Sequence, residues 1–283
     1  MQNGAFAEAR ALFMQALKLY KHVLDKHARS GHNLDWGVFA TSLLAVVCWQ
    51  LGEVERAREL IDEAKARADE SRHGVTLAIA FTLASLLEAL HGDVEATLRN
   101  TEILAEITTR IELPFFSSWA KICQGWARAK LGEHEAGAME MRQALEKSVQ
   151  QGNRWCATYF RGLLAELEAE GPNAEIALAR IDEALALAEQ TGERWTDALL
   201  HRIRGDILLK AHPENPATAE EAHLAAVAVA REQGARSFGL QAALKLAKLY
   251  QSAARQIDAH AVLTPTQEIP EIAEAVALME RLA

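Results

Sequence analysis

The sequence predicts an all-α fold, a right-handed superhelical solenoid built from about six helical hairpins. The first observation is a repeat, because Gly52, Gly92 and Gly132 lie forty residues apart and each precedes an acidic residue. A second glycine series, which includes Gly152 and Gly192, runs half a repeat out of phase. Glycine favours the left-handed backbone just past a helix end, so each forty-residue unit is expected to hold two helices and two short turns.

The segments between these glycines have helical periodicity. Apolar residues recur at i, i+3, i+4 and i+7, as in 56–70 and 174–190, and Gly and Pro are nearly absent there. A proline-bearing stretch, 212–218, is interpreted as a longer turn inside the fifth hairpin. The predicted elements are a first helix over about 5–29, hairpins over 35–50/53–71, 75–91/93–111, 115–131/133–151, 154–170/173–191, 194–211/216–233 and 236–253/255–264, and a last helix over about 270–282.

No linker interrupts this pattern, so residues 1–283 are predicted to form one helical-repeat domain. Residues 1–34 form its unpaired N-terminal helix and residues 265–283 its C-terminal capping helix. The first helix has the pattern of the second half of a hairpin, and an array that starts in mid-repeat exposes an apolar face. The chain is therefore either a fragment of a longer protein or a shortened relative that uses its first helix as a cap.

Composition excludes several classes of partner. The formal net charge is −9 and the pI is near 5.6, which disfavours nucleic acid and anionic membrane surfaces. The N-terminal residues lack the apolar stretch of a signal peptide, and the longest apolar runs, Val38–Leu51 and Val75–Leu87, are shorter than the ~20 residues of a membrane span. Three scattered cysteines, Cys48, Cys123 and Cys156, fit a reducing compartment. The predicted location is the cytoplasm.

Small residues recur at fixed places in the second helices. Ala57, Ile61 and Ala64 follow the turn at Gly52 in a small–large–small order that resembles the second helix of a tetratricopeptide repeat. In that repeat, small residues let neighbouring helices approach closely. The same order occurs at Ala177/Ile181/Ala184, whereas other units depart from it, with Thr97/Thr101 and with Gly137.

Longer stretches resemble one family. The segment 181–209, IDEALALAEQTGERWTDALLHRIRGDILL, is the most distinctive, supported by 114–133, 141–146, 231–250 and 270–282. These stretches resemble the C-terminal repeat region of bacterial proteins that join an AAA-type ATPase module to a class III adenylate/guanylate cyclase domain, or to a winged-helix DNA-binding domain. The resemblance implies a regulatory or partner-sensing segment. ATP binding and cyclisation would belong to other modules, since the sequence has no GxxxxGK[ST] loop.

No catalytic, cofactor or metal site is predicted, and the chain is not expected to be an enzyme. The ten histidines lack metal-ligand spacing, and His134-Glu135 is followed by Ala138 where a zincin has its second histidine. No GxSxG nucleophile motif occurs.

Large aromatic residues start several first-in-hairpin helices. Trp36, Trp119, Trp155 and Trp195 hold this place, with Phe238 in the next unit. The favoured interpretation is that each packs against the preceding hairpin, and the alternative is that some line a peptide groove. Two deeper tryptophans are predicted core residues, Trp49 and Trp126.

Basic residues give the remaining candidates. Arg154, Arg194 and Arg236 each lie two residues after a turn glycine, where a row of them would hold an acidic peptide or a nucleotide phosphate. Alternatively, each caps the carbonyls that end the previous helix. Further polar residues on first helices are expected on the concave side: Arg161, His201, Arg204, Gln241 and Lys245. The predicted partner-binding set is Arg154, Trp155, Arg161, Arg194, Trp195, His201, Arg204 and Arg236.

The sequence thus predicts a non-catalytic protein–protein interaction or regulatory module, the C-terminal sensing or scaffolding part of a signalling ATPase/cyclase. Its partner would be a protein or peptide. Two alternatives remain open. One is a free-standing adaptor that self-associates or binds a separate partner, and the other is a small-ligand sensor with a pocket inside the superhelix.

Overall fold

The computed structural model describes residues 1–26, 34–171 and 173–264, and in this part of the chain the regular structure is helical. The order of the elements confirms the all-α, hairpin-repeat prediction. The predicted capping helix at 270–282 lies outside the described residues, as do residues 27–29 of the predicted first helix. The helices are α1 (Phe6–Lys26), α2 (Trp36–Gln50), α3 (Val54–Ser71), α4 (Gly74–His91), α5 (Val94–Arg110), α6 (Pro114–Lys130), α7 (His134–Gln150), α8 (Ala157–Glu168), α9 (Ala174–Thr191), α10 (Asp197–Ala211), α11 (Pro216–Gln233), α12 (Arg236–Ser252) and α13 (Gln256–Leu263), with a 3₁₀ turn at Arg194–Thr196.

Most of the turn glycines have the left-handed backbone that the repeat predicts. Gly92 (φ +85°) ends α4, and its amide donates to the Ala89 carbonyl. A left-handed residue cannot continue a right-handed helix, so each such glycine stops its helix. The turn glycines with positive φ are Gly52, Gly92, Gly132, Gly152, Gly192 and Gly234.

Three predicted turn-to-helix boundaries are wrong, one of them at 194, where the 3₁₀ turn Arg194–Thr196 precedes α10. Gly74 was expected to be a turn glycine but is the first residue of α4, and Arg72 has the positive φ instead (+50°). The helix predicted from 154 begins at Ala157, because Cys156 has a left-handed φ of +57° that no α-helix accepts. The glycine spacing predicted where the turns lie, but the residue that adopts the left-handed backbone depends on packing.

The described chain divides into two compact units. The N-terminal unit contains residues 7–49 and 55–157, and the C-terminal unit contains residues 1–6, 50–54 and the chain from 158 onward. Each unit is a set of helical hairpins in which consecutive helices pack together, such as α6 on α7 and α10 on α11. That the two units form a single domain stays a prediction.

Helix α4 is one of two strongly apolar helices of the N-terminal unit, the other being the shorter α2. Helix α4 has 18 residues with a mean hydropathy of 1.6, so by length and composition alone it passes as a candidate membrane span among the described helices. Yet 61% of that window is buried, and α4 packs against α5 and α6. Its apolar surface is that of a core helix.

Candidate partner-binding face

A run of ion pairs joins the first helices of three hairpins in the C-terminal unit. Arg202 on α10 donates from Nη1 to Glu166 Oε1 on α8 at 2.9 Å, and to Asp206 Oδ2 at 2.8 Å. Lys245 on α12 places Nζ 3.0 Å from the same Asp206 oxygen. A base on one first helix therefore pairs with an acid on the preceding first helix. We call Glu166, Arg202, Asp206 and Lys245 the charge ladder.

The repeat itself generates the charge ladder. Glu166 and Asp206 are forty residues apart, like the turn glycines, and Arg202 and Lys245 are separated by forty-three residues, like Trp195 and Phe238 in the same two hairpins. Lys245 was among the predicted concave residues, whereas Glu166, Arg202 and Asp206 were not predicted. Acids and bases that recur at the repeat spacing were the signal that would have found them.

The charge ladder is buried at one end and open at the other. Arg202 is only 8% exposed, whereas the Lys245 side chain is 43% exposed. Burial lowers the pKa of Arg202, but the carboxylates of Glu166 and Asp206 more than offset this effect and raise it above its ordinary value. A buried guanidinium is tolerated only when it is paired in this way. Arg202 is thus fixed, and Lys245 is accessible to a partner.

A buried histidine lies beneath the charge ladder. His223 on α11 is fully buried, and its ring fills the space that a Cβ on Gly205 of α10 would occupy. Its Nε2 is 3.7 Å from Asp206 Oδ1, and neither ring nitrogen has a hydrogen-bond partner. Burial lowers the pKa of His223 to about 4, Asp206 opposes this shift, and Arg202 and Lys245 add to it. The imidazole is therefore neutral at neutral pH.

The three arginines of the predicted row are exposed but belong to different units. Arg154 lies in the N-terminal unit, and Arg194 and Arg236 lie in the C-terminal unit. Arg194, in the 3₁₀ turn before α10, donates from Nε to Oδ2 of Asp197, the first residue of α10, at 2.8 Å. This hydrogen bond raises the pKa of Arg194. Its guanidinium is thus held at the start of α10.

Three further residues of the predicted partner-binding set, Arg161, His201 and Arg204, lie outside the charge ladder. Arg204 donates from Nε to Asp182 Oδ1 on α9 at 2.7 Å, so it points to the second helix of the preceding hairpin. His201 is half-buried, and burial lowers its pKa despite the nearby Asp197. Arg161 is half-buried, with an Nε that has no acceptor. Their role in partner binding stays a prediction.

The tryptophans serve mainly as packing residues. Trp195 is buried and stacks on Tyr159 with ring centroids 5.6 Å apart. Trp119 is also buried; it stacks on the half-buried Trp155 at 4.9 Å and donates from Nε1 to Ser85 Oγ. By contrast, Trp36 is 59% exposed. The two predicted core residues are buried, Trp49 and Trp126.

Within residues 1–26, 34–171 and 173–264, no three His, Cys, Asp or Glu side chains are grouped so as to hold a metal ion.

No protein-family model matches the chain. Two solved structures have the same fold. The apo form of RapI is 12% identical, with a TM-score of 0.65 and 96% of each chain covered. The apo form of the quorum sensor NprR from B. thuringiensis is 13% identical, with a TM-score of 0.55 over 98% of this chain and 79% of NprR. The chain therefore has a tetratricopeptide-like helical-repeat fold.

One curated relative also matches. An uncharacterised protein of Rhizobium meliloti (strain 1021) is 23% identical over 235 residues, which are 82% of this chain. The matched part is 22% of that protein, so the chain spans about a fifth of the length of the relative.

Proposed function

We propose that the chain is a non-catalytic recognition module that binds a protein or peptide segment across α8, α10 and α12. The observation that carries this proposal is the charge ladder, which joins these three helices and leaves Lys245 half-exposed. The fold that the chain shares with the quorum sensor NprR supports a regulatory role.

The charge ladder favours a partner segment that carries a carboxylate. Lys245 pairs with Asp206, and its exposed half allows a partner's carboxylate to share or replace that contact. Charge-assisted hydrogen bonds are stronger than neutral ones in a partly buried setting. Arg202 keeps the underlying helices in register because both of its carboxylate partners come from this chain.

The chemistry of the buried thiols supports a non-catalytic role. All three cysteines are buried, and none forms a disulfide. Burial raises the pKa of Cys123 to about 12, so at neutral pH it is a thiol and not a thiolate nucleophile. Three unbridged cysteines also support our placement of the chain in the cytoplasm.

A charge reversal tests the proposed face. The variant Lys245→Glu is compared with Lys248→Glu, which makes the same change at an exposed lysine of the same helix, outside the charge ladder. A random-peptide display library is selected against the wild-type chain, and the enriched peptides are titrated against all three proteins. We expect acidic peptides whose affinity falls at least tenfold in Lys245→Glu and less than twofold in Lys248→Glu. Enriched peptides that bind all three proteins equally would refute this face as the binding site.

We further propose that the module is attached to an effector, an ATPase/cyclase or a winged-helix regulator. The support is the sequence resemblance of 181–209 and the greater length of the Rhizobium meliloti relative, of which the matched residues make up only 22%. An immunoblot of a lysate from the source organism measures the native polypeptide. A band far above 31.1 kDa supports attachment, and a band at 31.1 kDa refutes it.

Self-association through α1 is a second candidate function, favoured by one observation. Ala9, Phe13 and Ala16 of α1 have the small–large–small spacing of the second helices. Ala9 is buried but Ala16 is exposed, and Leu12 and Leu19 are 58% and 61% exposed. Exposed apolar residues on one helix mark an interaction site when they are contiguous. Light scattering at high protein concentration should show a dimer for the wild type and a monomer for the double variant Leu12→Glu/Leu19→Glu. A wild-type monomer would refute this candidate.

A further inference from the structure

The first six residues form a compact turn that packs within the C-terminal unit. The Gly4 amide donates to the Met1 carbonyl at 2.9 Å, and the Phe6 amide donates to the Gly4 carbonyl at 3.0 Å. Gly4 and Phe6 are buried, whereas the side chains of Gln2 and Asn3 are exposed. The segment is therefore held by its backbone, its glycine and its aromatic ring.

Two groups at the edge of the C-terminal unit meet this segment. The Trp195 amide donates to the Gln2 carbonyl at 2.9 Å. The Gln233 side chain lies against Gly4, because a Cβ there would be 2.6–2.8 Å from its amide and methylene atoms. Gln233 is itself fixed, since its Nε2 donates to the Arg194 carbonyl at 2.8 Å. We call Trp195 and Gln233, with the turn 193–195, the edge site.

The equivalent turn one repeat earlier explains why the edge site needs an acceptor. There, the Trp155 amide donates to Asn153 Oδ1 at 3.2 Å, so the turn satisfies its own donor. In the edge site, Glu193 replaces Asn153, and its carboxylate is used by Trp195 Nε1 at 3.3 Å and the Thr158 amide at 3.4 Å. The Trp195 backbone amide must then find its acceptor outside its own turn, since a buried amide without one is costly.

The position of Gly4 restricts which peptide segments can bind the edge site. Its φ of +82° belongs to the left-handed region, and Gln233 occupies the space of any side chain at this position. The edge site thus recognises a carbonyl and a glycine two residues later, and the docked segment buries an aromatic residue, Phe6, two residues after that. This pattern is independent of the charge ladder, which uses other residues.

We propose that residues 1–6 are a releasable latch, docked in cis on an edge site that accepts a turn-forming peptide segment with a glycine and an aromatic residue. A partner segment with this chemistry competes with the latch. Binding in trans therefore requires release of residues 1–6, which connect directly to α1.

A displacement experiment on the full chain tests the latch. Gly4→Val disfavours the left-handed turn and collides with Gln233, so it releases the segment, while Gln2→Ala is the matched control because only the Gln2 carbonyl is used. The probe is the acetylated peptide Met-Gln-Asn-Gly-Ala-Phe, labelled at an added C-terminal lysine. In fluorescence anisotropy we expect it to bind Gly4→Val at least tenfold more tightly than the wild type or Gln2→Ala. The same peptide with valine in place of glycine should bind at least tenfold more weakly.

Hydrogen exchange at the Trp195 amide gives a second measurement. Exchange should be slow in the wild type, faster in Gly4→Val, and slow again when the peptide is added. Equal peptide affinity for the wild type and Gly4→Val, or no saturable binding to Gly4→Val, would overturn the proposal. So would failure of Gly4→Val to fold, because a releasable latch leaves the fold intact when it leaves. Lys245→Glu should bind the latch peptide normally when combined with Gly4→Val, which keeps this test separate from that of the charge ladder.

Discussion

In the hairpins α6/α7 and α10/α11, the two helices pack against each other at a glycine, but different residues fill the contact. In α6/α7, Gly125 faces Gly137 and Met141, and a Cβ on Gly137 would lie 2.4 Å from the Gly125 carbonyl oxygen. In α10/α11, a Cβ on Gly205 would instead meet the ring of His223 at 2.5 Å. One hairpin brings two backbones into contact, and the other inserts an imidazole between them.

The central core residue differs in the same way. Met141 and His223 hold the same place in the small–large–small order and are both fully buried. The methionine side chain needs no hydrogen bond when it is buried, whereas both ring nitrogens of the buried histidine lack a hydrogen-bond partner. An unsatisfied buried polar group costs about 1–3 kcal/mol. The repeat therefore accepts a polar core residue in the hairpin that also carries Arg202 and Asp206 of the charge ladder.

The largest expected effect comes from closing the glycine contact in α6/α7. Gly137→Ala places a methyl group against backbone atoms of Ala129 and Gly125, which can move only if the two helices separate. We expect a loss of at least about 3 kcal/mol in the free energy of unfolding, measured in urea. Gly239→Ala in α12 is the control, because its Cβ would meet only the Ala230 Cβ at 3.4 Å. A similar loss of stability in Gly137→Ala and Gly239→Ala would contradict the claim that the close backbone contact at Gly137 is what makes its substitution costly.

The next largest effect should come from replacing the central methionine of α7 by histidine. Met141→His puts a polar ring into an apolar site, and we expect a loss of about 2 kcal/mol. Met141→Leu, which changes shape without adding polarity, is the control and should lose less than about 1.5 kcal/mol. Urea unfolding distinguishes the two, and equal losses would show that shape rather than polarity decides this position.

Filling the space at Gly205 should have a smaller effect than filling it at Gly137. The obstacle is a side chain and not a backbone, so we expect Gly205→Ala to lose about 1–2 kcal/mol. The double variant Gly205→Ala/His223→Ala removes the ring that collides, so its two effects should be strongly non-additive in a double-mutant cycle. Additive effects would mean that the ring and the glycine are not coupled.

The smallest effect at neutral pH is a stabilisation. His223→Met should raise the free energy of unfolding by about 1 kcal/mol at pH 7, because it removes the two unsatisfied nitrogens. The pKa of His223 is about 4 in the fold and near 6.5 in the unfolded chain. As pH falls from about 6.5 to 4, the unfolded state binds the extra proton, so wild-type stability should decrease relative to the variant.

Urea unfolding of both proteins at several pH values measures this difference. A gap between wild type and His223→Met that stays constant from pH 7 to pH 4 would contradict the burial of a neutral imidazole.

The helices, the forty-residue hairpins and most of the turns could be predicted from the amino-acid sequence alone. These features depend on local physics, namely apolar periodicity, helix propensity and the left-handed backbone that glycine permits. The burial of Trp49, Trp119, Trp126 and Trp195 was also predicted, but the same packing prediction is wrong at Trp36, which is 59% exposed. The prediction of the turns failed at Gly74 and Cys156, where packing chose which residue would make the turn.

The contacts between side chains of different helices depend on the tertiary structure and could not be predicted from the sequence. Arg202 and Arg204 are two residues apart on one helix, yet the first joins Glu166 in the charge ladder and the second joins Asp182 on α9. The rotation of α10 about its axis sets this choice, and that rotation is fixed by packing against several neighbouring helices. The docking of Gln2 on Trp195 is likewise invisible in the sequence, since its partners are almost two hundred residues apart and meet only when the chain has folded.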